Sequence, residues 1–167
     1  MLREDAPMAR IKEPDERAIP DIKRLWKKDV VDHDYDAAFA FLRIRTGETR
    51  AKALIKALRA AKLVQMRAND ILRACHLPAL DIDDPGTHRN MVKTIIGKRL
   101  SPVLVVSLVD GTSTIADGYH RVSWAYRISP WVYVPGRLAV ESDRDSEVPD
   151  GRAKSSRKSR TRRTPPA

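Results

Sequence analysis

The sequence predicts an α+β fold in which a helical N-terminal layer precedes a small mixed sheet with its own helices. Three observations carry this. Apolar residues recur at helical spacing through the first third of the chain, a continuous apolar run follows near residue 105, and an Asp-Gly turn after that run starts a second extended segment. With 167 residues and 42% hydrophobic content the chain suits one compact unit, whose core must be filled mostly by aliphatic side chains because only 5% of residues are aromatic.

In order along the chain, residues 1–19 are charged and aperiodic and are expected to form a disordered arm. Residues 20–61 read as the helical layer. Ile22, Leu25, Trp26 and Val30 fall on one side of a first helix starting at Pro20-Asp21. Asp34 is a candidate N-cap for a second helix carrying Ala37, Ala38, Phe41 and Leu42, which Gly47 interrupts. A third helix runs from Glu48 to about Ala61 with Leu54 and Leu58 on one face. Residues 62–140 read as the sheet-bearing domain. It has a short strand at Lys62–Met66, a small helix over Ile71–Cys75 capped by Asn69 or Asp70, and a turn-prone acidic stretch, Asp81–Gly86. A helix over Thr87–Ile96 follows, ended by Gly97. The run Pro102–Leu108 shows no alternation, as expected of a strand covered on both faces. Asp110-Gly111 turns it into Ser113–Ala116, and a helix continues to Arg127. The last extended segment spans Trp131–Val134 and Arg137–Val140, with a break expected at Pro135-Gly136. Residues 141–167 lose apolar content and are expected to be disordered.

Composition narrows the functional classes. The net charge is +10, but Arg152, Lys154, Arg157, Lys158, Arg160, Arg162 and Arg163 supply most of it, with no acid between residues 151 and 167. The folded part is thus nearly balanced, and a nucleic-acid role argued from charge rests on that tail. The tail carries no aromatic residue, so base stacking is not expected of it. One cysteine, Cys75, excludes an internal disulfide and a multi-Cys zinc site and suits a reducing, cytoplasmic setting. No apolar stretch approaches the roughly 20 residues of a membrane span, so no membrane partner is expected.

The most informative stretch is Asp117-Gly118-Tyr119-His120-Arg121, where a strand is expected to turn into a helix. Unsatisfied amides at a helix start attract anions, and glycine lets a bound group approach the backbone. Arg121 in the first helical turn runs against the helix dipole and calls for a counter-charge, either a bound anion or a salt bridge to Asp117 or Asp110. Asp117 is a candidate N-cap or catalytic carboxylate, and His120 a candidate general acid or base. Plain packing beside the turn is the alternative for His120. Core packing is expected of Trp124 and Tyr126, and a solvated face of Lys98 and Arg99. His33-Asp34 resembles a metal-binding pair, but the histidines are scattered, and no metal site is expected.

The order of parts over roughly 62–140 resembles the ParB/sulfiredoxin fold, also called the ParB-like nuclease fold, as found in small bacterial proteins. The likeness rests on the helix ending in Gly97, on Leu100–Val106, on the hairpin, on Ile115–Arg121 with its helix, and on the closing Val134–Leu138. Gly118-Tyr119-His120-Arg121 resembles the G-C-H-R element of sulfiredoxins. Gly118, Arg121 and Ala125 resemble, in shifted register, the G-x-x-R-x-x-A turn of ParB proteins. Members of that superfamily bind nucleotide phosphates at this turn. The resemblance therefore implies a phosphorylated ligand, such as a nucleoside triphosphate with magnesium, held by Gly118, Tyr119, His120 and Arg121. Gly97–Pro102 resembles the loop ParB proteins set opposite the phosphates, which adds Ser101 to the ligand-binding positions. Tyr119 stands where sulfiredoxins have their reactive cysteine, which argues against sulfinic-acid reduction. Three readings follow. The first is phosphoryl transfer or hydrolysis at the turn, with His120 and Asp117 as catalytic residues. The second is a non-enzymatic DNA- or RNA-associated accessory protein anchored by the tail. The third and weakest is a nuclease, for which only Asp110, Asp117 and the Asp81–Asp84 run offer carboxylates. Oligomeric state is left open.

Overall fold

A computed structural model describes residues 14–142. The described part is α+β: five α-helices and one four-stranded mixed sheet. In chain order these are α1 (Asp32–Thr46), α2 (Glu48–Ala60), β1 (Leu63–Arg67), α3 (Ala68–Ala74), α4 (Pro85–Ile95), β2 (Val103–Ser107), β3 (Ser113–Asp117), α5 (Tyr119–Ile128) and β4 (Tyr133–Val140). The sheet order is β1-β4-β2-β3. β2 and β3 form the antiparallel hairpin that Asp110-Gly111 predicts, with Gly111 at φ +81°. β4, the last strand of the described chain, lies between β1, to which it is antiparallel, and β2, to which it is parallel.

β2 explains why its sequence lacks alternation. Val103 and Val105 enter one core with Ile71, Leu72, Ile115, Val122, Ala125 and Val134, beneath α3 and α5. Leu104 and Val106 enter the opposite core with Ala38, Leu42, Leu54 and Leu58, beneath α1 and α2. Successive side chains point to opposite faces, so a strand covered on both sides reads as uninterrupted apolar sequence. Each such buried aliphatic contributes about 1.5–3 kcal/mol relative to exposure.

Several expectations need correction. No helix forms over 20–30; a single 3-10 turn, Lys23–Leu25, leads into extended backbone at Trp26. Trp26 bridges Leu100 in parallel register, and both are buried. Backbone bonds clamp the bridge, with Leu100 N donating to Leu25 O and Lys27 N to Leu100 O, both at 2.7 Å. The helical spacing of Ile22, Leu25 and Trp26 is met instead by a strap laid against the core of α3 and α5. Asp34 caps nothing: α1 begins after Val31, and Asp34 lies in its first turn. Asn69 and Asp70 do not cap α3, which begins after Arg67. β4 is not broken at Pro135-Gly136. Its pairing with β2 begins at Gly136, so no rung of that ladder needs the N–H that Pro135 lacks. At Gly136 a Cβ would lie 2.9 Å from the Val103 carbonyl oxygen, so close strand approach requires glycine there.

Glu141 and Ser142 fall within the segment expected to be disordered, yet both are described, and Glu141 is buried. Its carboxylate accepts two bonds from the Arg50 guanidinium, at 2.8 and 2.7 Å, and one from Val109 N at 3.1 Å. The Arg50 bonds hold its pKa below the usual carboxylate value. Residues 1–13 of the expected arm and 143–167 of the expected tail lie outside the described residues, as do all seven tail cations from Arg152 to Arg163.

Candidate functional site

The strand-to-helix turn forms where the sequence puts it. β3 ends at Asp117, Gly118 adopts φ +107°, and α5 starts at Tyr119. Gly118 is required twice over. The left-handed backbone disfavours any side chain, and a Cβ would meet Val103 Cγ1 at 2.7 Å. Gly118 is itself the N-cap, not Asp117, and no side chain caps the helix. Arg121 N and Val122 N bond the Gly118 carbonyl oxygen, which leaves the amides of Tyr119 and His120 as the open donors of the first turn.

Arg121 is not the free anion receptor that the sequence suggests. Its guanidinium is shared by two carboxylates. Nη1 donates to Asp34 Oδ2 at 2.7 Å, and Nη2 donates to Asp117 Oδ2. All three side chains are largely buried, with 12% of Arg121, 7% of Asp34 and 24% of Asp117 exposed. Of the two counter-charges the sequence leaves open, the internal one is found, supplied by Asp117 and by a residue 87 positions away. The cluster ties the start of α1 to the β3–α5 turn. His33 Nε2 adds a contact to Asp34 Oδ1 at 3.1 Å. Burial pushes the Asp117 carboxyl up; the Arg121 charge opposes this and the Asp34 charge adds to it. Asp117 thus serves as a counter-ion to Arg121 while also lining the cleft beside the turn.

The rest of the turn is bolted to the segment preceding α4. Tyr119 Oη donates to Pro78 O at 2.6 Å. One turn further along α5, Ser123 Oγ accepts from Leu80 N at 3.1 Å, and Arg127 donates to the carbonyls of Leu80 and Ala79 at 2.9 and 3.1 Å. The spacing i, i+4, i+8 makes these three residues one stripe of α5. The His120 ring lies over Gly86, where an added Cβ would be 2.3 Å from ring carbon Cδ2. Nε2 of His120 stands 3.4 Å from Asp84 Oδ1, and half of the side chain is exposed. Asp84 caps α4 by accepting from Thr87 N at 2.8 Å, which holds its pKa low.

Ser101 does not join the turn. It is buried, and its hydroxyl accepts from Val31 N at 3.2 Å, closing the start of α1. The Trp26–Leu100 bridge places it there, beside the strap. Trp124 and Tyr126 pack against the core as expected, and Trp124 Nε1 donates to Thr94 Oγ1 at 3.1 Å.

Beside the turn lies a cleft of ≈ 470 Å³, bounded by one face of α1, by the outer edge of β3 and by Gly118, Tyr119 and His120. This volume falls within the range of small-molecule sites. Ala37, Phe41 and Arg45 form the α1 wall. Arg45 has no ion-pair partner among the described residues, and it is close enough to the Cys75 thiol to favour its ionisation. Burial outweighs that effect and raises the thiol pKa, so Cys75 is held as a neutral wall residue. Sequence reading missed Arg45. The available signal was a second stripe on α1, Ala37–Phe41–Arg45, beside the buried Ala38–Leu42 stripe.

The class these features define is a helix-covered mixed-sheet domain with a polar-mouthed cleft at a glycine turn. Comparison with protein-family models, with curated proteins and with solved structures finds no match to this chain. Among the described residues no group of histidine, cysteine and carboxylate side chains is arranged to hold a metal ion. No helix there is long and apolar enough to cross a membrane.

Proposed function

We propose that the cleft beside the β3–α5 turn binds a small phosphorylated ligand of the nucleotide type. The carrying observation is the pairing of two positive features across one cavity: the uncapped start of α5, with the amides of Tyr119 and His120, and the guanidinium of Arg45, which makes no direct ion pair among the described residues and acts on Asp110 at longer range. The resemblance to ParB and sulfiredoxin proteins supports the same position and ligand class. In this reading Arg121 has a positioning role, fixing the turn through Asp34 and Asp117, and Arg45 takes the electrostatic role. His120 stands at the mouth, in contact with Asp84, where a general acid or base for phosphoryl transfer or hydrolysis belongs.

Isothermal titration of the full chain with ATP, CTP and GTP, each with magnesium, tests the reading. Saturable heat for one of them, weakened at least tenfold in Arg45→Ala with an unchanged melting temperature, is the expected result. Absence of heat for all three, or equal binding by Arg45→Ala, refutes it. A turnover assay with the ligand that binds then separates an enzyme from a binding module: His120→Gln lowers turnover without altering affinity if the imidazole moves a proton.

A further inference from the structure

A gathering of positive charge without ion-pair partners among the described residues lies away from the cleft, at the Trp26–Leu100 bridge. Arg24, Lys27 and Lys28 come from the strap; Lys93, Lys98 and Arg99 come from the end of α4 and the residues after it. All six are exposed, and none has an ion-pair partner among the described residues. Two local structures bring them together. At the end of α4, Gly97 adopts φ +78°, Gly97 N donates to Thr94 O and Lys98 N donates to Lys93 O. This double closure reverses the chain after the helix. The bridge then aligns residues near 100 with residues near 26 in parallel register. Its buried members alternate with exposed cations: Lys27 follows Trp26, and Arg99 precedes Leu100.

The dipole of α4 accounts for cations at its own C-terminus, but not for those of the strap, which a separate segment delivers to the same place. The acids of the strap offset only part of this charge: both Asp29 oxygens accept from Arg137 Nη2, at 2.9 and 3.0 Å, while Asp21 accepts from the backbone amide of Lys23 at 2.9 Å and keeps its charge. The six cations thus outnumber the strap's acids, and one of those acids is drawn to Arg137, which leaves an excess of positive charge that an external polyanion relieves.

We infer that this face binds the phosphate backbone of double-stranded DNA without reading base sequence. A duplex is favoured over a single strand because Trp26, the aromatic residue of the strap, is buried and offers no ring for base stacking. Exposed lysine and arginine side chains supply phosphate contacts, the sequence-independent part of DNA affinity. The site is separate from the cleft, so the inference stands whether or not a nucleotide binds there.

The test is fluorescence anisotropy of the full chain on a short DNA duplex across a salt series. Comparison is with the quadruple variant Lys27→Gln, Lys28→Gln, Lys98→Gln, Arg99→Gln. A charge-matched control removes Arg43, Lys52, Lys56 and Lys62, all exposed on or beside α1 and α2. If all four patch cations meet phosphates, the slope of log affinity against log salt falls by about 3.6 in the patch variant. Wild type then loses roughly 10²-fold more affinity than that variant between 50 and 200 mM salt. The control keeps the wild-type slope. In the unmutated chain, bound DNA protects the amines of Lys27, Lys28 and Lys98 from acetylation, a readout independent of variant folding. Equal slopes for the two quadruple variants, or unprotected lysines in the complex, overturn the inference. So does patch-dependent binding to anionic lipid vesicles without binding to DNA. Patch-dependent binding to an RNA duplex with none to DNA also refutes the choice of partner.

Discussion

Replacing Arg121 with alanine leaves Asp34 and Asp117 facing each other without a cation in a largely buried setting. Removing one member of a buried ion pair costs about 3–5 kcal/mol, because the remaining charge has neither water nor a partner. Here two carboxylates are orphaned, so the upper half of that range is expected at pH 7. For a folded unit of this size the melting temperature should fall by about 10–20 °C. The loss should be pH-dependent. In wild type, burial already holds the Asp117 carboxyl above the ordinary aspartate value of 3.8. A carboxyl with a raised folded pKa favours folding while protonated, and that advantage is lost as pH rises through the folded value. Without the guanidinium the folded value rises further, so the gap between Arg121→Ala and wild type should be widest near neutrality and narrow towards pH 4. Thermal unfolding followed by circular dichroism from pH 4 to 7 measures it. Arg121→Lys should fall between the two, since it keeps the charge but cannot bridge both carboxylates with a planar fork. A melting temperature for Arg121→Ala within about 3 °C of wild type at pH 7, or a gap that ignores pH, would refute the internal counter-ion role and return Arg121 to the list of ligand-binding residues.

Gly118→Ala should cost about 2 kcal/mol or more in denaturant unfolding, since it combines a positive φ with a contact to Val103 that cannot be relieved without moving β2. An unchanged unfolding midpoint would mean that the turn is not held as described. Glu141→Gln should lose about 1.5–3 kcal/mol at pH 7, the worth of charge-assisted bonds to a partly exposed arginine. Because the Arg50 bonds depress the Glu141 pKa, this stabilisation is present above the ordinary glutamate value of 4.5 and disappears as pH falls through the folded value. The wild-type and Glu141→Gln melting curves should therefore converge in acid, and parallel curves down to pH 3 would contradict the assignment.

Where local chemistry decides, the elements can be read from the residues. The limits of α2, the glycine end of α4, the doubly covered β2 and the Asp-Gly hairpin all follow from neighbours within a few positions. What escapes is set by contacts across long separations. The strap at 20–30 carries helical spacing, yet its backbone pairs with Leu100. Asp34 looks like a cap but finds Arg121 across 87 positions, and Glu141 looks like the start of a tail but finds Arg50 across 91. In the cleft, Gly118, Tyr119 and His120 were legible because a strand-to-helix turn is local. Ser101 was misplaced and Arg45 overlooked because which face of α1 meets β3 depends on tertiary packing.

The position of β4 in the sheet has a consequence for biosynthesis. Among the described residues β1 has no partner other than β4, and β2 reaches β1 only through it. During translation the hairpin of β2 and β3 is available early, but β1 must wait, unpaired, for about seventy residues until residues 133–140 leave the ribosome. Closure of the sheet is therefore a late, nonlocal event, and it sets the pace at which a newly made chain escapes the reach of proteases and of other nascent chains.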